Sequence, residues 1–549
     1  MNRIKPSLRY SLLATVLAGA VALAAPAGSQ PAAATPDNKV SSQAAAPKPG
    51  TGNFVQRLVR ELRSSGLEVS IGYPRLYTQA DCAYTYPVFH NCYGNNPAAP
   101  YVIPVVKPWP EEYVDPAMKT GIAKTRPGYS STYRLDPREA IIFFGRMPPP
   151  ARYTALQTWV WTTEWLTDDS PWDKVAWGIF KERAGSLIQY LFTTVPGNQA
   201  RVESFSSVDN NINNLVMEKK SGPPWDEIRY FVITPDQRTD EAVREALYEL
   251  GVDEDEIFTE GIPEAFEGVP LGPLGLDDKA VDFVTLLRYA MPEDEQAAEV
   301  WRKSLPLNVL RVRRADSVPA VPYEGRMADE RTAVDEVGDE ELSNGLTNLV
   351  NAVITRAESL GLTLDIAPEP MVDILEELKQ FGPDCRTIGM NCLGDGQDAS
   401  YFLIKPKPLD TGQIYAVVST LATETGNAIY VGLSVNDASR LNGVLNVSDT
   451  TLKGSASSYA GVVTDPDNFF VYFFTRDCDA IAGLTDGACT TITSDMVPLA
   501  GDDKAPGDPE LHGMFSAAVR DYVALGSERG PDPTKQLRPQ VLTFSYADE

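Results

Sequence analysis

Histidine occurs only twice in the 549 residues, as His90 and His512. A His₃ zinc site is therefore ruled out, and no His-Glu-x-x-His string is present. No Gly-x-Ser-x-Gly elbow and no phosphate-cradling glycine loop appears either. Acid–base chemistry would fall to carboxylates, with one imidazole in reserve. His90 sits beside Asn91 in the short interval between Cys82 and Cys92, a rigid mount for a catalytic or ligand-binding ring if the cysteines pair. The same interval also suits a loop histidine that bonds only backbone. Glu164 lies among Trp159, Trp161, Trp165 and Trp172. Indoles beside a carboxylate fit a sugar platform with an acid or base, and they fit a strand core equally well. Asp209-Asn210-Asn211-Ile212-Asn213-Asn214 is a dense run of side-chain oxygens that could orient a polar ligand or hold Ca²⁺, or bond its own backbone as a turn. Asp395-Gly-Gln-Asp398 is a second, sparser calcium candidate without the distal Glu of an EF-hand loop. The candidate set is thus His90, Glu164 and Asp209 for catalysis, and Trp159, Trp161, Trp165, Asn210 and Asn213 for ligand contact. No transition-metal site is expected, and Ca²⁺ is the one cofactor considered.

Six cysteines fall into three close pairs, Cys82/Cys92, Cys385/Cys392 and Cys478/Cys489. An even count in an exported chain reads as disulfides, and the clustering favours the three local ones. Spacings this wide do not fit a zinc knuckle. Export itself is expected from residues 1–24. Arg3, Lys5 and Arg9 precede an apolar run from Ser11 to Ala24 that is too short to span a bilayer, and Ala22-Leu23-Ala24 is a cleavage signal. Removing this leader takes the net charge from −27 to −30, because it carries three basic and no acidic residues. A surface of that sign repels phosphate backbones and anionic membranes, so nucleic acid is excluded as a partner. No later run reaches membrane-spanning length. The expected location is secreted, either extracellular or periplasmic.

Residues 25–52 are rich in Ala, Pro, Ser and Gln and read as a disordered linker. Folding is expected from Asn53, with a helix carrying Phe54, Leu58 and Leu62 on one face and Gly66 after it. Ala140–Phe144 and Tyr153–Trp161 read as a hairpin around Gly145–Pro150. Ser186–Thr194 reads as a strand. A small α/β unit is expected around 226–290, with a strand at Arg229–Ile233, a helix through Val243, Ala246, Leu247 and Leu250, and a return strand at Ile257-Phe258. Further expectations are a long helix at Glu340–Leu360, a shorter one at Pro370–Gln380, strands at Tyr401–Ile404, Gln413–Thr420, Asn427–Val435 and Phe469–Phe474, and a last helix at Pro509–Leu525.

The two halves of the chain line up. Cys92-x-Gly94-x₄-Ala99-x-Tyr101 recurs as Cys392-x-Gly394-x₄-Ala399-x-Tyr401, each with a cysteine upstream and an apolar run after it. Asp226–Asp236 likewise resembles Asp467–Asp477. This order predicts an internal duplication. The expected fold class is α+β and β-rich, with two related β-sandwich or jelly-roll-like halves, 53–325 and 326–549, the first carrying the α/β insert.

Arg134-Leu-Asp-Pro-Arg-Glu139-Ala followed by Gly145-Arg-Met-Pro-Pro-Pro-Ala151-Arg-Tyr153 resembles a strand–Pro-Pro–strand signature of uncharacterised exported bacterial and fungal proteins. It is also similar in outline to the DUF1254/DUF1214 proteins, where Pro-Pro-x-x-Phe/Tyr-Trp-Ser opens a jelly-roll strand. Here Thr154-Ala155 stands in place of Trp-Ser. Thr425-Gly-Asn-Ala-Ile-Tyr and Lys453-Gly-Ser-Ala-Ser-Ser-Tyr are similar to the same group. The resemblance implies export and β-rich architecture and no particular reaction. The function expected is extracellular binding of a small molecule or carbohydrate. A secreted hydrolase or lyase working through carboxylates, with His90 or Glu164, is the alternative, and a structural surface protein the third.

Overall fold

Ten principal strands between Leu67 and Arg314 are followed by ten between Leu362 and Tyr546, five further two-residue strands aside, and the second set repeats the arrangement of the first. The computed structural model describes residues 51–118, 121–164 and 185–546. The leader, nearly all of the expected linker, Trp165 and Trp172 lie outside the described residues. The first set is β1 (Leu67–Ile71), β2 (Tyr73–Tyr77), β3 (Tyr101–Val105), β4 (Glu139–Arg146), β5 (Ala151–Glu164), β6 (Asn198–Ser207), β7 (Ile228–Thr234), β8 (Ile257–Gly261), β9 (Asp282–Pro292) and β10 (Leu307–Arg314). The second is β11 (Leu362–Leu364), β12 (Val372–Asp373), β13 (Ala399–Pro408), β14 (Ile414–Thr420), β15 (Tyr430–Asp437), β16 (Asn442–Ser448), β17 (Phe469–Thr475), β18 (Cys489–Thr491), β19 (Met514–Tyr522) and β20 (Gln540–Tyr546).

Four large open sheets result, besides a two-stranded pair at Ala265–Phe266 and Val269–Pro270. Sheet A runs β1-β10-β4-β7-β8 and sheet B runs β2-β3-β9-β5-β6, with Thr194–Val195 beyond β6. Sheet C runs β11-β20-β14-β17-β18 and sheet D runs β12-β13-β19-β15-β16. Adding ten to each strand of A and B gives C and D. The correspondence extends to strand direction: β7/β8 and β17/β18 are the parallel pairs, and the other named pairs are antiparallel. The protein is a β-rich α+β structure of open antiparallel and mixed sheets.

Each central strand is buried on both sides, which explains its unbroken apolar sequence. In β4, Ile141 and Phe143 join a cluster with Leu156, Val160 and Leu287 of sheet B. Its alternate residues Ala140, Ile142 and Phe144 pack under α1 (Thr51–Ser64) and α4 (Gln237–Tyr248). In β14, Tyr415 and Val417 meet Phe402, Leu433, Phe515 and Val519 of sheet D. Ala416 and Val418 lie under Leu346, Leu349 and Val353 of α6 (Glu340–Ser359). Asp236 and Asp339 cap α4 and α6 by accepting first-turn amides, the usual stop for orphan helix donors. Shorter helices α2 (Cys82–Phe89), α3 (Asn214–Ser221), α5 (Glu295–Ser304) and α7 (Gly382–Ile388) complete the elements used below.

The helix starting near residue 53, the long helix after Glu340 and the β-α-β unit at 228–261 are as the sequence predicts. Five expectations are overturned. β4 and β5 form no hairpin: β4 pairs with β10 and β7 in sheet A, whereas β5 pairs with β9 and β6 in sheet B. Pro148-Pro149-Pro150 between them lacks the amides a continuing ladder needs, so the chain crosses from one sheet to the other. β14 and β15 part in the same way. Ser186–Leu191 is a helical turn, not a strand, and 370–380 contains two short strand pieces and turns, not a helix. The expected last helix is strand β19. Phe515, Ala517 and Val519 face the C–D cluster, while Ala518, Arg520 and Tyr522 face sheet B, so its alanines serve sheet packing on both sides. The α/β unit is no insert, since β8 is the edge strand of sheet A and has its counterpart in β18.

All three local disulfides form as expected, Cys82–Cys92, Cys385–Cys392 and Cys478–Cys489, and they are consistent with an oxidising compartment. Among the described residues no helix is long and apolar enough to cross a membrane.

The first two disulfides carry the loops that bind the two strand sets together. Cys92 N and Gly94 N donate to Arg440 O and Leu441 O, at 2.9 and 2.7 Å, in the second set. Reciprocally, Cys392 N and Gly394 N donate to Ser204 O and Phe205 O, at 2.8 and 2.9 Å, in the first. Gly394 is in the left-handed region (φ 76°), and a Cβ there would lie 2.8 Å from the Phe205 ring. Gly394→Ala should therefore lower stability by about 1–3 kcal/mol, through backbone strain and overpacking together. Gly461→Ala, where nothing lies within 4 Å, should be near neutral. Chemical-denaturation midpoints of the two variants check this, and equal midpoints would refute the docking role.

Candidate functional site

Sheets B and D turn their remaining faces toward each other. Tyr153, Ala155 and Ala290 meet Ala399, Tyr430 and Tyr522 there. The alanines let the backbones approach, and beside them the faces part to enclose a cavity of about 130 Å³. A cavity of that order accommodates a single ring rather than a chain of sugars. Trp159, Phe205, Tyr77, Tyr93 and Leu286 supply much of its wall.

Its polar groups come as matched pairs. On sheet B, Tyr101 of β3 stands in register opposite Arg288 of β9. On sheet D, Tyr401 of β13 stands opposite Arg520 of β19. All four line the cavity. Each tyrosine is the last residue of the repeated Cys-x-Gly-x₄-Ala-x-Tyr string, and each phenol oxygen accepts an amide of its own loop: Asn96 N at 3.3 Å and Gly396 N at 3.1 Å. Burial pushes both phenols above their ordinary range, so they stay protonated.

The two arginines differ in their partners. Arg288 Nη2 donates to Gln157 Oε1 (3.0 Å) and to Asp398 Oδ1 (3.3 Å), while its Nε has no partner among the described residues. Arg520 donates to Ser434 Oγ and to Gly94 O, both at 2.6 Å, and makes no ion pair with any described carboxylate although it is only 7% exposed. A buried guanidinium without a counter-charge is costly unless something else neutralises it. Asn436 Oδ1, in the same wall, also lacks a partner.

Two buried carboxylates clamp the loops, Asp395 in the cavity lining and Glu203 outside it. Asp395 accepts from Ser207 N and Oγ, Gly382 N and Gln397 Nε2, at 2.7–2.9 Å, and burial raises its pKa. Its backbone oxygen accepts the Trp159 indole N–H at 2.9 Å. Glu203 Oε2 accepts from Tyr93 Oη, Thr193 Oγ1 and Asn391 Nδ2 at 3.1–3.2 Å, joining β6 to both cysteine loops. Burial pushes Glu203 up to about 8.

The residues singled out in the sequence are distributed as follows. Trp159 lines the cavity; Trp161 is packed edge-on among Phe89, Tyr93 and Phe205. Trp165 is outside the described residues. His90 is exposed at the end of α2, its ring edge-on to Tyr86. Glu164 ends β5 opposite Arg201. Asp209 is buried and pairs with Arg326 at 2.7 Å; burial, opposed by that arginine, pushes it up to about 6. Asn210 accepts from Asp329 N, and Asn213 caps α3 through Leu215 N and Val216 N. His90, Glu164 and Asp209 are not among the cavity-lining residues. Among the described residues no cluster of three or more His, Cys, Asp or Glu is placed to hold a metal ion. Arg288 and Arg520 were not singled out by sequence reasoning. Their signal is the register partner, since each faces the tyrosine of a repeated motif across a strand pair.

No family model matches the chain, and no curated protein does. Solved structures of bacterial proteins are distantly similar. A putative uncharacterised protein from Burkholderia cenocepacia matches with TM-score 0.35 and 9% identity, over 90% of this chain and 88% of that one. The VPA0106 protein from Vibrio parahaemolyticus matches with TM-score 0.28 and 11% identity, over 75% and 87%.

A carboxyl whose folded pKa is raised favours folding while protonated and loses that contribution as pH rises through the folded value. For Glu203, at about 8 against about 4.5 unfolded, stability should fall with increasing pH between those values, by about 1.4 kcal/mol per unit. Glu260, also pushed up to about 8 by burial, adds to the same slope. Glu203→Gln should flatten the stability–pH curve measured by urea unfolding from pH 5 to 8. An unchanged slope would show that Glu203 does not carry it.

Proposed function

We propose that the chain is a secreted binding protein made of two duplicated two-sheet halves, sheets A–B and C–D, which holds a small molecule where the halves meet. The observation that carries this reading is the cavity of about 130 Å³ with aromatic walls and unpartnered polar atoms at Arg288 and Asn436. Pockets of this kind, largely apolar with a few convergent polar groups, are where small ligands bind. The repeated strand order supports duplication, and the buried cluster shared by each sheet pair supports a sandwich-like half. The leader-like residues 1–24 and the disulfides support export. A glycan-length substrate is disfavoured, because a cavity of about 130 Å³ accommodates one ring.

Ligand binding to the native state raises the melting temperature by mass action, with about 2.7 kcal/mol of stabilisation at a ligand concentration a hundredfold above Kd. Purified mature protein should show such a rise with one or more single-ring compounds from a panel of acids, alcohols, amines and monosaccharides. Ala518 faces the cavity from β19, so Ala518→Phe should fill the space and abolish the rise. Absence of any shift across the panel, or a shift that persists in Ala518→Phe, would refute the site.

A further inference from the structure

We infer that the ligand of this cavity is a small ring-bearing monocarboxylate, held at its carboxylate by the two tyrosine–arginine pairs. The inference rests on the cavity being a binding site and adds the chemical class. Three observations meet there. First, the charges do not balance: two guanidiniums, Arg288 and Arg520, line the cavity, and Asp398, wholly buried against Arg288, is the one carboxylate paired with either among the described residues, while the lining Asp395 has its carboxyl oxygens taken by Ser207, Gly382 and Gln397. One positive charge is left, and a monoanion matches it. A dianion such as phosphate would carry one negative charge too many and meet mostly apolar wall.

Second, donors in excess of acceptors converge on the space. Arg288 Nε is unpartnered, on a residue only 6% exposed. The Tyr101 and Tyr401 oxygens each accept a loop amide and leave their own protons to give. All four groups line the same cavity, each arginine in register opposite its tyrosine. A carboxylate is acceptor-only with two oxygens, and a forked guanidinium is its usual partner. Third, the remaining wall is aromatic: Trp159, Phe205, Tyr77 and Tyr522 offer faces and edges to a ring. The ligand is therefore polar and anionic at one end and flat and apolar at the other.

Isothermal titration of the mature protein with benzoate, benzyl alcohol, benzylamine and inorganic phosphate reads the class directly. Benzoate should bind at least about tenfold tighter than benzyl alcohol, with benzylamine and phosphate weaker still, because a charge-assisted bidentate contact is the strongest polar term on offer. Arg520→Gln should bring benzoate down to the level of the alcohol and leave the alcohol unchanged. Tyr401→Phe, which keeps ring and charge, should weaken benzoate by a smaller factor and serves as the second variant if Arg520→Gln does not fold. Equal affinity for benzoate and benzyl alcohol, or an unchanged ratio in both variants, would overturn the carboxylate class while leaving a ring-binding cavity in place. Phosphate binding as tightly as benzoate would overturn the ring requirement. Failure of every ring compound to bind the wild-type protein would remove both the class and the site.

Discussion

The arrangement depends on a reciprocal exchange of backbone hydrogen bonds. Each Asn-Cys-x-Gly loop, pinned by its disulfide, crosses to the other strand set and donates two amides to carbonyls of its β6 or β16 region. Asn91 and Asn391 hold the loops in shape by accepting Tyr93 N and Leu393 N. Left-handed conformations recur at matched non-glycine positions, at Tyr93 and Leu393 in the loops and at Phe205 and Leu441 on the receiving segments. Such conformations are unfavourable for these residues and persist where the surroundings over-determine them. The net gain from each hydrogen bond is about 1 kcal/mol, so the exchange does not stabilise chiefly by its bonds. Its weight lies in what loss of a partner would cost, since the amides are buried.

That exchange decides where the sheets can go. With the loops crossed, sheets B and D must face each other, and the alanine-rich strip around Ala155, Ala290 and Ala399 sets how closely. Larger side chains to one side, led by Trp159 and Phe205, keep the faces apart and leave the cavity. Polar residues in this layer could not have been accommodated by an apolar core. Arg288, Asp398, Gln157 and Tyr153 instead satisfy one another, with the Tyr153 hydroxyl donating to Asp398 at 2.9 Å. A buried polar network of this kind favours one relative placement of the sheets over neighbouring ones, because a small slip would leave several groups unpaired.

Much of this was legible before any coordinates. The repeated Cys-x-Gly-x₄-Ala-x-Tyr string marks the docking loops and their tyrosines. The amphipathic stripe of α6 is plain, and so is the β-α-β unit at 228–261. Strand pairing was misread for a physical reason: two apolar strands joined by a short loop look alike whether they pair within one sheet or cross to another. Strand β19 was read as a helix because it is buried on both faces, which erases the two-residue alternation. Arg288 and Arg520 gave no local sign, since an arginine in an apolar strand means nothing until its register partner is known.

By itself the sequence determined composition-level and local facts: an acidic chain with an export-like leader, three local disulfides, the helices whose apolar stripes are intact, and a repeated Cys-x-Gly-x₄-Ala-x-Tyr string. These follow from spacing and side-chain chemistry within a few residues. Tertiary structure alone decided the strand order of the four sheets, the crossing of the loops and the meeting of two tyrosine–arginine pairs from strands more than a hundred residues apart. The reason is that register and sheet partnership are set by contacts distant in sequence. A cavity is a property of the faces left over when those contacts are made.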